Sequence, residues 1–149
     1  DVIERAVSIC RGEIQKTVKS INIEIPKDLP EIYVDPDTLE QVLVNLIINA
    51  AHASDKEKSW IKVKAGTNNK DLNGVIIETI DNGCGMDEEI RERVFDPFFT
   101  TKQSGSGTGL GLSLCENMIN EMGGSIEVES EPEAGSTFRI RLYDSSKER

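Results

Sequence analysis

One stretch of the chain, from Val42 to Ser54, carries no Asp, Glu, Lys or Arg, and it constrains the fold more than any other part. The Asp35-Pro36 pair before it predicts a helix start, because an N-cap residue is followed by proline at the first helical position. The predicted helix is apolar around most of its circumference and must be buried on most of its faces. It is too short to cross a bilayer, so we expect it at the centre of a globular core.

Four polar residues of this helix lie on one side of it. At about 100° of rotation per residue, their side chains fall within a stripe about 80° wide. They are Gln41, Asn45, Asn49 and His52. Buried asparagine amides destabilise a helix unless they find polar partners. Either neighbouring loops supply those partners, or the stripe faces a ligand and its amide oxygens hold a hard cation such as Mg²⁺. His52 is a structural or surface histidine in the first interpretation and faces phosphate in the second.

The overall charge narrows the classes of function. A formal net charge of -10 and a pI near 4.6 argue against nucleic acid or an anionic membrane as a partner, because either would repel the chain. An anionic ligand would need a metal ion or oriented backbone amides. The three cysteines form no CxxC pair, which argues against a zinc site or a disulfide framework and predicts reduced thiols in the cytoplasm. No signal-like segment opens the chain.

The remaining patterns predict one domain over residues 1–149, in the α+β class. We expect a two-layer sandwich in which a sheet of about five strands carries three main helices on one face. Predicted helices cover about 1–19, the segment from 36, a short piece at 88–94, and 110–122. Predicted strands cover 21–25, 60–65, 75–80, 125–130 and 136–142, with a short extended piece at 32–34, a polar loop around 68–74 and a frayed tail at 144–149.

Two glycine-rich segments lie between these elements. The first, Gly83-Cys-Gly85, follows Asp81, a carboxylate at the end of an apolar strand that could accept a hydrogen bond from an exocyclic amine such as that of adenine. The second, Gly105 to Gly111, matches neither of the common phosphate-loop fingerprints. It still feeds a helix N-terminus, where free amides bind anions, although such a run can also be a flexible linker.

The segment before the second glycine run, Phe95-Asp-Pro-Phe-Phe-Thr-Thr-Lys102, combines aromatic residues with one cation. We expect its aromatic residues mainly to anchor the base of the loop. Lys102 is the natural cation for a terminal phosphate.

Five motifs in this order resemble the ATP-binding catalytic domain of sensor histidine kinases, in the superfamily shared with gyrase, Hsp90 and MutL ATPases. The Phe-Phe-Thr-Thr-Lys form is typical of nitrogen-regulation-type kinases. The resemblance covers nearly the whole chain. The motifs are an N box at 45–53, a G1 box at 81–86, an F box at 95–99, a G2 box at 107–112 and a closing Gly135-Ser-Thr-Phe138.

The resemblance implies a mixed-sheet Bergerat-type fold with ATP and Mg²⁺ as cofactors, held between the N-box helix and a mobile lid at about 96–108. It implies Asn49 as the metal ligand, Asn45 and Lys102 with it as the catalytic residues, and Thr137 supporting Asp81 through water. The nucleotide-binding set that it implies is Asn45, Asn49, His52, Asp81, Gly83, Gly85, Met86, Phe95, Lys102, Gly107, Thr108, Gly109, Leu110, Gly111, Leu112 and Thr137.

Two departures from the family pattern matter. His52 stands where many members have Lys or Arg, which makes charge neutralisation there weaker and pH-dependent. The phosphoacceptor histidine of the family lies on a separate dimerisation domain, and His52 is the single histidine here. We therefore expect that domain to be absent, the fragment to be monomeric, and its partners to be that domain, dimeric in the full-length kinase, and a response regulator.

Two other kinds of enzyme remain as alternatives. An ATPase clamp of the Hsp90 and MutL type needs a general base one helical turn before the metal-binding Asn, and Asn45 occupies that place. A carboxamide cannot accept a proton at neutral pH. An anti-sigma-type protein serine kinase also tends to use Glu there, so histidine phosphorylation is the favoured reaction.

Overall fold

A computed structural model describes residues 2–27, 29, 34–68, 71–97 and 111–143 of the chain. The helices are α1 (Val2–Thr17), α2 (Pro36–Ala53), α3 (Glu88–Arg93) and α4 (Gly111–Glu121). The strands are β1 (Ser20–Glu24), β2 (Trp60–Asn68), β3 (Asp71–Asp81), β4 (Ser125–Glu131) and β5 (Gly135–Tyr143).

The five strands form one mixed sheet in the order β1-β2-β3-β5-β4. Strand β1 pairs with β2 in parallel, and the other three pairings are antiparallel. Helix α2 lies against β2, β3 and β5, helix α4 contacts both α2 and β4, and α1 packs mainly on α2. The predicted α+β class and the two-layer arrangement are confirmed.

The start of α2 follows the predicted capping chemistry. The Asp35 carboxylate accepts hydrogen bonds from the Asp37 amide at 3.2 Å and the Thr38 hydroxyl at 2.6 Å, and Pro36 is the first helical residue. These bonds satisfy amides that have no partner within the helix. The capped start of α2 therefore sets the positions from which Asn45 and Asn49 project.

The core lies between α2 and one face of the sheet. Side chains alternate along each strand, so Val63, Ile77 and Ile140 point toward the helices from three neighbouring strands. Helix α2 buries Leu43 and Ile47, each no more than 1% exposed, as expected for a helix that is apolar on most faces.

The opposite face of the sheet carries a group of ion pairs. Arg139 contacts Glu78 at 2.9 Å and Glu129 at 2.8 Å, and Arg141 contacts Glu127 at 2.9 Å, so ion pairs run across three strands. Among the described helices, none is long and apolar enough to cross a membrane.

The strands differ from the prediction in one place. Residues around 68–74 were expected to form a polar loop, but β2 continues to Asn68 and β3 begins at Asp71, with a register irregularity after Thr67. Backbone pairing extends a ladder past the last apolar residue, so the apolar pattern underestimates strand length. Most of the predicted extended piece at 32–34 and the tail at 144–149 lie outside the described residues.

Candidate functional site

Asp81 ends β3 with its side chain on the helix-facing side of the sheet, and the residue is only 4% exposed. Its Oδ1 accepts a hydrogen bond from the Gly83 amide at 2.8 Å. Burial raises the pKa of this carboxyl, while backbone hydrogen bonds from Gly83 and Ser136 and the charge of Lys56 partly oppose that shift. A buried carboxylate with acceptor capacity left is suited to receive a hydrogen bond from a ligand.

The turn after Asp81 packs against the end of α2. The Cys84 amide donates to the Ala53 carbonyl at 2.9 Å, and Lys56 Nζ donates to the Gly83 carbonyl at 2.9 Å. A Cβ at Gly83 would overlap the Ala53 carbonyl and approach the Asp81 carboxylate. Glycine at position 83 therefore lets the G1 turn touch the N-box helix.

The other side of the turn is held by the β4–β5 hairpin. Gly85 has a φ of +67°, and a Cβ there would overlap the carbonyl of Glu131 at the end of β4. The amide of Glu133, which has a φ of 66°, donates to the Cys84 carbonyl at 2.7 Å. The G1 turn is thus fixed between α2 and the hairpin, and Gly85 is required by both its conformation and its surroundings.

The segment from Met86 to Phe95 is tied to the same hairpin. The Met86 amide donates to Ser130 Oγ at 2.8 Å, and Arg91 of α3 donates to the Ser130 carbonyl at 3.2 Å. The ring of Phe95 packs edge-on against Phe138, with centroids 6.1 Å apart and an interplanar angle of 89°. Phe95 therefore packs against β5, which agrees with the anchoring role predicted for the aromatic residues of this segment.

Two residues of the polar stripe of α2 contact two different helices, α4 and α1. Asn45 is half-buried, and its Nδ2 donates to Cys115 Sγ on α4 at 3.6 Å. Asn49 is also half-buried, whereas Gln41 and His52 are exposed. His52 Nε2 lies 3.5 Å from a Glu13 carboxylate oxygen on α1. The structure therefore places His52 beside α1, and a contact with phosphate stays a prediction.

The sheet register bears on the role predicted for Thr137. Asp81 pairs with Ser136 and Ile80 pairs with Thr137, so Thr137 points to the opposite face of the sheet from Asp81. Thr137 lines a cavity of about 400 Å³ whose lining also includes Trp60, Asp81 and Ser136. The closing motif alone does not show which of Ser136 and Thr137 shares the face of Asp81, and the register does.

Some of the other predicted nucleotide-binding residues lie within the described ranges, and some do not. Gly111 is the first residue of α4, and Leu112 is half-buried against the core. Met86 is half-buried in the same way. The remaining predicted residues lie outside the described ranges, and they are Lys102, Gly107, Thr108, Gly109 and Leu110.

The described residues contain no group of three or more His, Cys, Asp or Glu side chains that could hold a metal ion. Mg²⁺ commonly keeps several waters and binds through one or two protein oxygens together with substrate phosphates. The half-buried amide of Asn49 fits that pattern of coordination.

Residues 34–146 match the protein family described as "Histidine kinase-, DNA gyrase B-, and HSP90-like ATPase". The chain belongs to this family. The domain also resembles the catalytic domain of histidine kinase ThkA in a nucleotide-free form, with a TM-score of 0.82 and 31% identity, covering 99% of this chain and 93% of that one. Full-length ShkA in complex with AMPPNP shares the fold, with a TM-score of 0.81 and 24% identity, covering 95% of this chain and 29% of ShkA.

Curated relatives of this domain are sensor kinases. It is 39% identical over 141 residues to the signal transduction histidine-protein kinase AtoS of Escherichia coli (strain K12), covering 95% of this chain and 22% of AtoS. It is 37% identical over 142 residues to the sensor histidine kinase ZraS of Salmonella typhimurium, covering 95% of this chain and 30% of ZraS. The chain therefore spans less than a third of the length of these relatives.

Sequence reasoning missed three residues that hold this family's G1 turn in place here. Lys56 and Ser130 bind its backbone, and Ser136 is the hairpin residue beside Asp81. Ser130 could have been recognised from the sequence. It takes an inward-facing position in the alternating pattern of β4, where a polar residue rarely lies without a hydrogen-bond partner.

We expect Gly85→Ala to destabilise the domain by about 2 kcal/mol or more, because alanine disfavours the positive φ and its Cβ overlaps the Glu131 carbonyl. Gly12→Ala is the matched control: nothing lies within 4 Å of a Cβ there, and alanine favours the helix by about 1 kcal/mol. Urea denaturation of both variants measures the difference. A Gly85→Ala domain as stable as the wild type would contradict the described turn.

Proposed function

We propose that this chain is the ATP-binding catalytic domain of a sensor histidine kinase. It binds ATP·Mg²⁺ and transfers the γ-phosphoryl group to a histidine on a separate dimerisation domain. The observation that carries the proposal is the buried Asp81 carboxylate at the closed G1 turn, in a chain whose curated relatives are sensor histidine kinases.

Asp81 recognises the base in this proposal. The exocyclic amine of adenine donates a charge-assisted hydrogen bond to the carboxylate, which is stronger than a bond between neutral groups. Gly83 keeps one carboxylate oxygen oriented, and Gly85 and Met86 close the turn beside it. Guanine presents a carbonyl in place of the amine, so the same carboxylate disfavours guanine.

The phosphates lie between α2 and the start of α4. Asn49 would supply a metal-binding oxygen and Asn45 a polar contact, while Mg²⁺ would supply charge neutralisation when bound. Helix α4 begins at Gly111 and has no acidic residue in its first turn, so the positive end of its helix dipole favours an anion. Lys102 and the G2-box glycines from Gly107 onward are assigned to the same phosphates.

Transfer rather than hydrolysis is favoured by the residue at position 45. Hydrolysis needs a base for the attacking water, and the Asn45 amide, whose Nδ2 donates to Cys115, cannot take a proton. Phosphoryl transfer needs mainly positioning and charge neutralisation. An ATPase clamp and a protein serine kinase are the alternative outcomes of the transfer experiment below.

The wider assignments rest on the same proposal. The intact protein would be a dimeric kinase that passes its phosphoryl group to a response regulator, with this domain on the cytoplasmic side. The nitrogen-regulation-type assignment rests on the Phe98-Phe-Thr-Thr-Lys102 segment.

Asp81→Asn should abolish ATP binding while the domain stays folded, because the charge-assisted bond is lost and the amide can present a donor to the adenine amine. In the wild type, affinity should fall as pH is lowered through the raised pKa of Asp81, because protonation removes the same charge. Calorimetry over a pH series measures both effects.

Asp55→Asn is the control for this experiment. Asp55 is exposed, and its charge contributes to the raised pKa of Asp81. The variant should keep ATP affinity and shift the fall to lower pH. An Asp81→Asn domain that binds ATP within threefold of the wild type would remove Asp81 from the site.

Asn49→Ala should weaken the binding of ATP in the presence of Mg²⁺ more than the binding of metal-free ATP, because the amide oxygen is assigned to the metal. Asn120→Ala, an exposed asparagine on α4, should change neither affinity. The four affinities can be compared by calorimetry with and without EDTA. Equal losses under both conditions would reassign Asn49 to the nucleotide or to the fold.

The reaction itself is tested with γ-labelled ATP. The 149-residue chain alone should show neither self-labelling nor useful turnover, because its single histidine, His52, contacts α1 and Asn45 is no base. With a dimerisation domain of the same kinase added as a separate chain, label should appear there in an acid-labile, alkali-stable form. Robust phosphate release by the chain alone would support an ATPase clamp, and acid-stable label on serine would support a serine kinase.

A further inference from the structure

The Asn45 side chain of the N-box helix is held by a cysteine of a second helix. Its Nδ2 donates a hydrogen bond to Cys115 Sγ on α4 at 3.6 Å. Cys115 is 0% exposed, whereas Asn45 is half-buried and keeps part of its surface open to solvent. The contact therefore joins the two helices between which the proposed function places the phosphates.

The partners of the Cys115 thiol fix the direction of both of its hydrogen bonds. Sγ lies 4.0 Å from the Val42 carbonyl of α2, which can only accept, so the thiol proton is donated there. An amide nitrogen can only donate, so the sulfur accepts from Asn45. Burial raises the pKa of this thiol, and the hydrogen bond from Asn45 only partly opposes the shift. Cys115 is therefore a neutral thiol at neutral pH, not a nucleophile.

The two ends of an asparagine amide serve different ligands. The nitrogen can donate to a phosphate oxygen, whereas the oxygen can bind a cation or accept a hydrogen bond from a water on that cation. The two orientations of the amide have nearly the same shape, so its hydrogen-bond partners decide between them. In Asn45 the nitrogen is held on the α4 side by Cys115, and Oδ1 takes no part in that contact.

We infer that Cys115 is a positioning residue for the nucleotide site, and that it orients the Asn45 amide so that Oδ1 faces the cation bound to the phosphates. The inference rests on the proposed function, since it adds a residue to the same ATP·Mg²⁺ site. Mg²⁺ in proteins keeps several waters, and Asn45 needs only to accept a hydrogen bond from one of them. Cys115 itself touches neither nucleotide nor metal in this arrangement.

Loss of the sulfur would change the orientation of the amide. With no acceptor on α4, the Nδ2 of Asn45 would face a buried surface without a hydrogen-bond partner, which is costly for a polar group. Rotation of the amide by about 180° would relieve that cost. It would also present the nitrogen to the cation, where a donor cannot take the proton of a metal-bound water.

The test compares Cys115→Ala with Cys115→Ser. These two variants differ by one oxygen atom, and the serine hydroxyl keeps an acceptor for Asn45 and a proton for the Val42 carbonyl. Calorimetry measures the affinity of each variant and the wild type for ATP, with Mg²⁺ and with EDTA. Ile119→Val is the matched control, because it removes one methyl group from another fully buried residue of α4. Thermal unfolding without nucleotide shows that each variant is folded.

Cys115→Ala should bind ATP in Mg²⁺ about 3- to 10-fold more weakly than the wild type, as expected for one lost hydrogen bond. In EDTA its affinity should stay within about twofold, because the cation is absent. Cys115→Ser should stay within about twofold under both conditions. Ile119→Val should unfold at a lower temperature and keep both affinities.

A double-mutant comparison shows whether Cys115 acts through Asn45. In an Asn45→Ala background there is no amide to orient, so adding Cys115→Ala should change the affinity in Mg²⁺ by less than about twofold. A cysteine that served only to pack α4 against the core would instead cause the same loss in both backgrounds.

Four results would overturn the inference and leave the proposed function standing. The first is an equal affinity of Cys115→Ala and the wild type in Mg²⁺. The second is an equal loss in Mg²⁺ and in EDTA, which would mean that Asn45 presents its nitrogen to the phosphates. A loss in Cys115→Ser as large as in Cys115→Ala, or a loss that persists in the Asn45→Ala background, would assign Cys115 to packing alone. A folded wild type that binds no ATP would overturn the proposed function together with the inference.

Discussion

The buried carboxylate of Asp81 is the constraint on which the arrangement of the site depends. An ionised group in an apolar layer is costly unless hydrogen bonds and nearby charges compensate for lost hydration. The Gly83 amide, the backbone of Ser136 and the charge of Lys56 supply part of that compensation. The upward shift of the Asp81 pKa shows that burial still outweighs it. A ligand that donates a hydrogen bond to this carboxylate would therefore relieve a cost that the free protein carries.

Close packing of backbone against backbone keeps Asp81 in that position. The G1 turn lies between the end of α2 and the β4–β5 hairpin. The Cys84 backbone donates a hydrogen bond to Ala53 on one side and accepts one from Glu133 on the other. Side chains at Gly83 or Gly85 would overlap backbone atoms of these neighbours. The glycines of the G1 motif therefore have a structural function that holds whether or not nucleotide is bound, and this function links the motif to the hairpin far along the chain.

Much of this could be predicted because the determining signals are local. The start of α2 follows from Asp35-Pro36, and Asp81 was conspicuous as a carboxylate at the end of an apolar strand. Two assignments depended on long-range packing instead. The face on which Thr137 lies is set by the β3–β5 register, and a shift of one residue exchanges it with Ser136. The contact of His52 with Glu13 depends on how α1 packs against α2, which a helical wheel of α2 does not contain.

Charge distribution shapes how an acidic domain would hold a polyphosphate. Several cations of the described residues already serve the fold: Lys56 binds the Gly83 carbonyl, Arg91 the Ser130 carbonyl, and Arg139 joins three glutamates on the opposite face of the sheet. With a net charge of -10, the domain would repel ATP at a distance. The proposed phosphate site therefore depends on short-range groups: Mg²⁺ at Asn49, the amides at the start of α4, and Lys102. Because the metal carries two positive charges and the others one or less, neutralisation in this site would depend mainly on divalent cation.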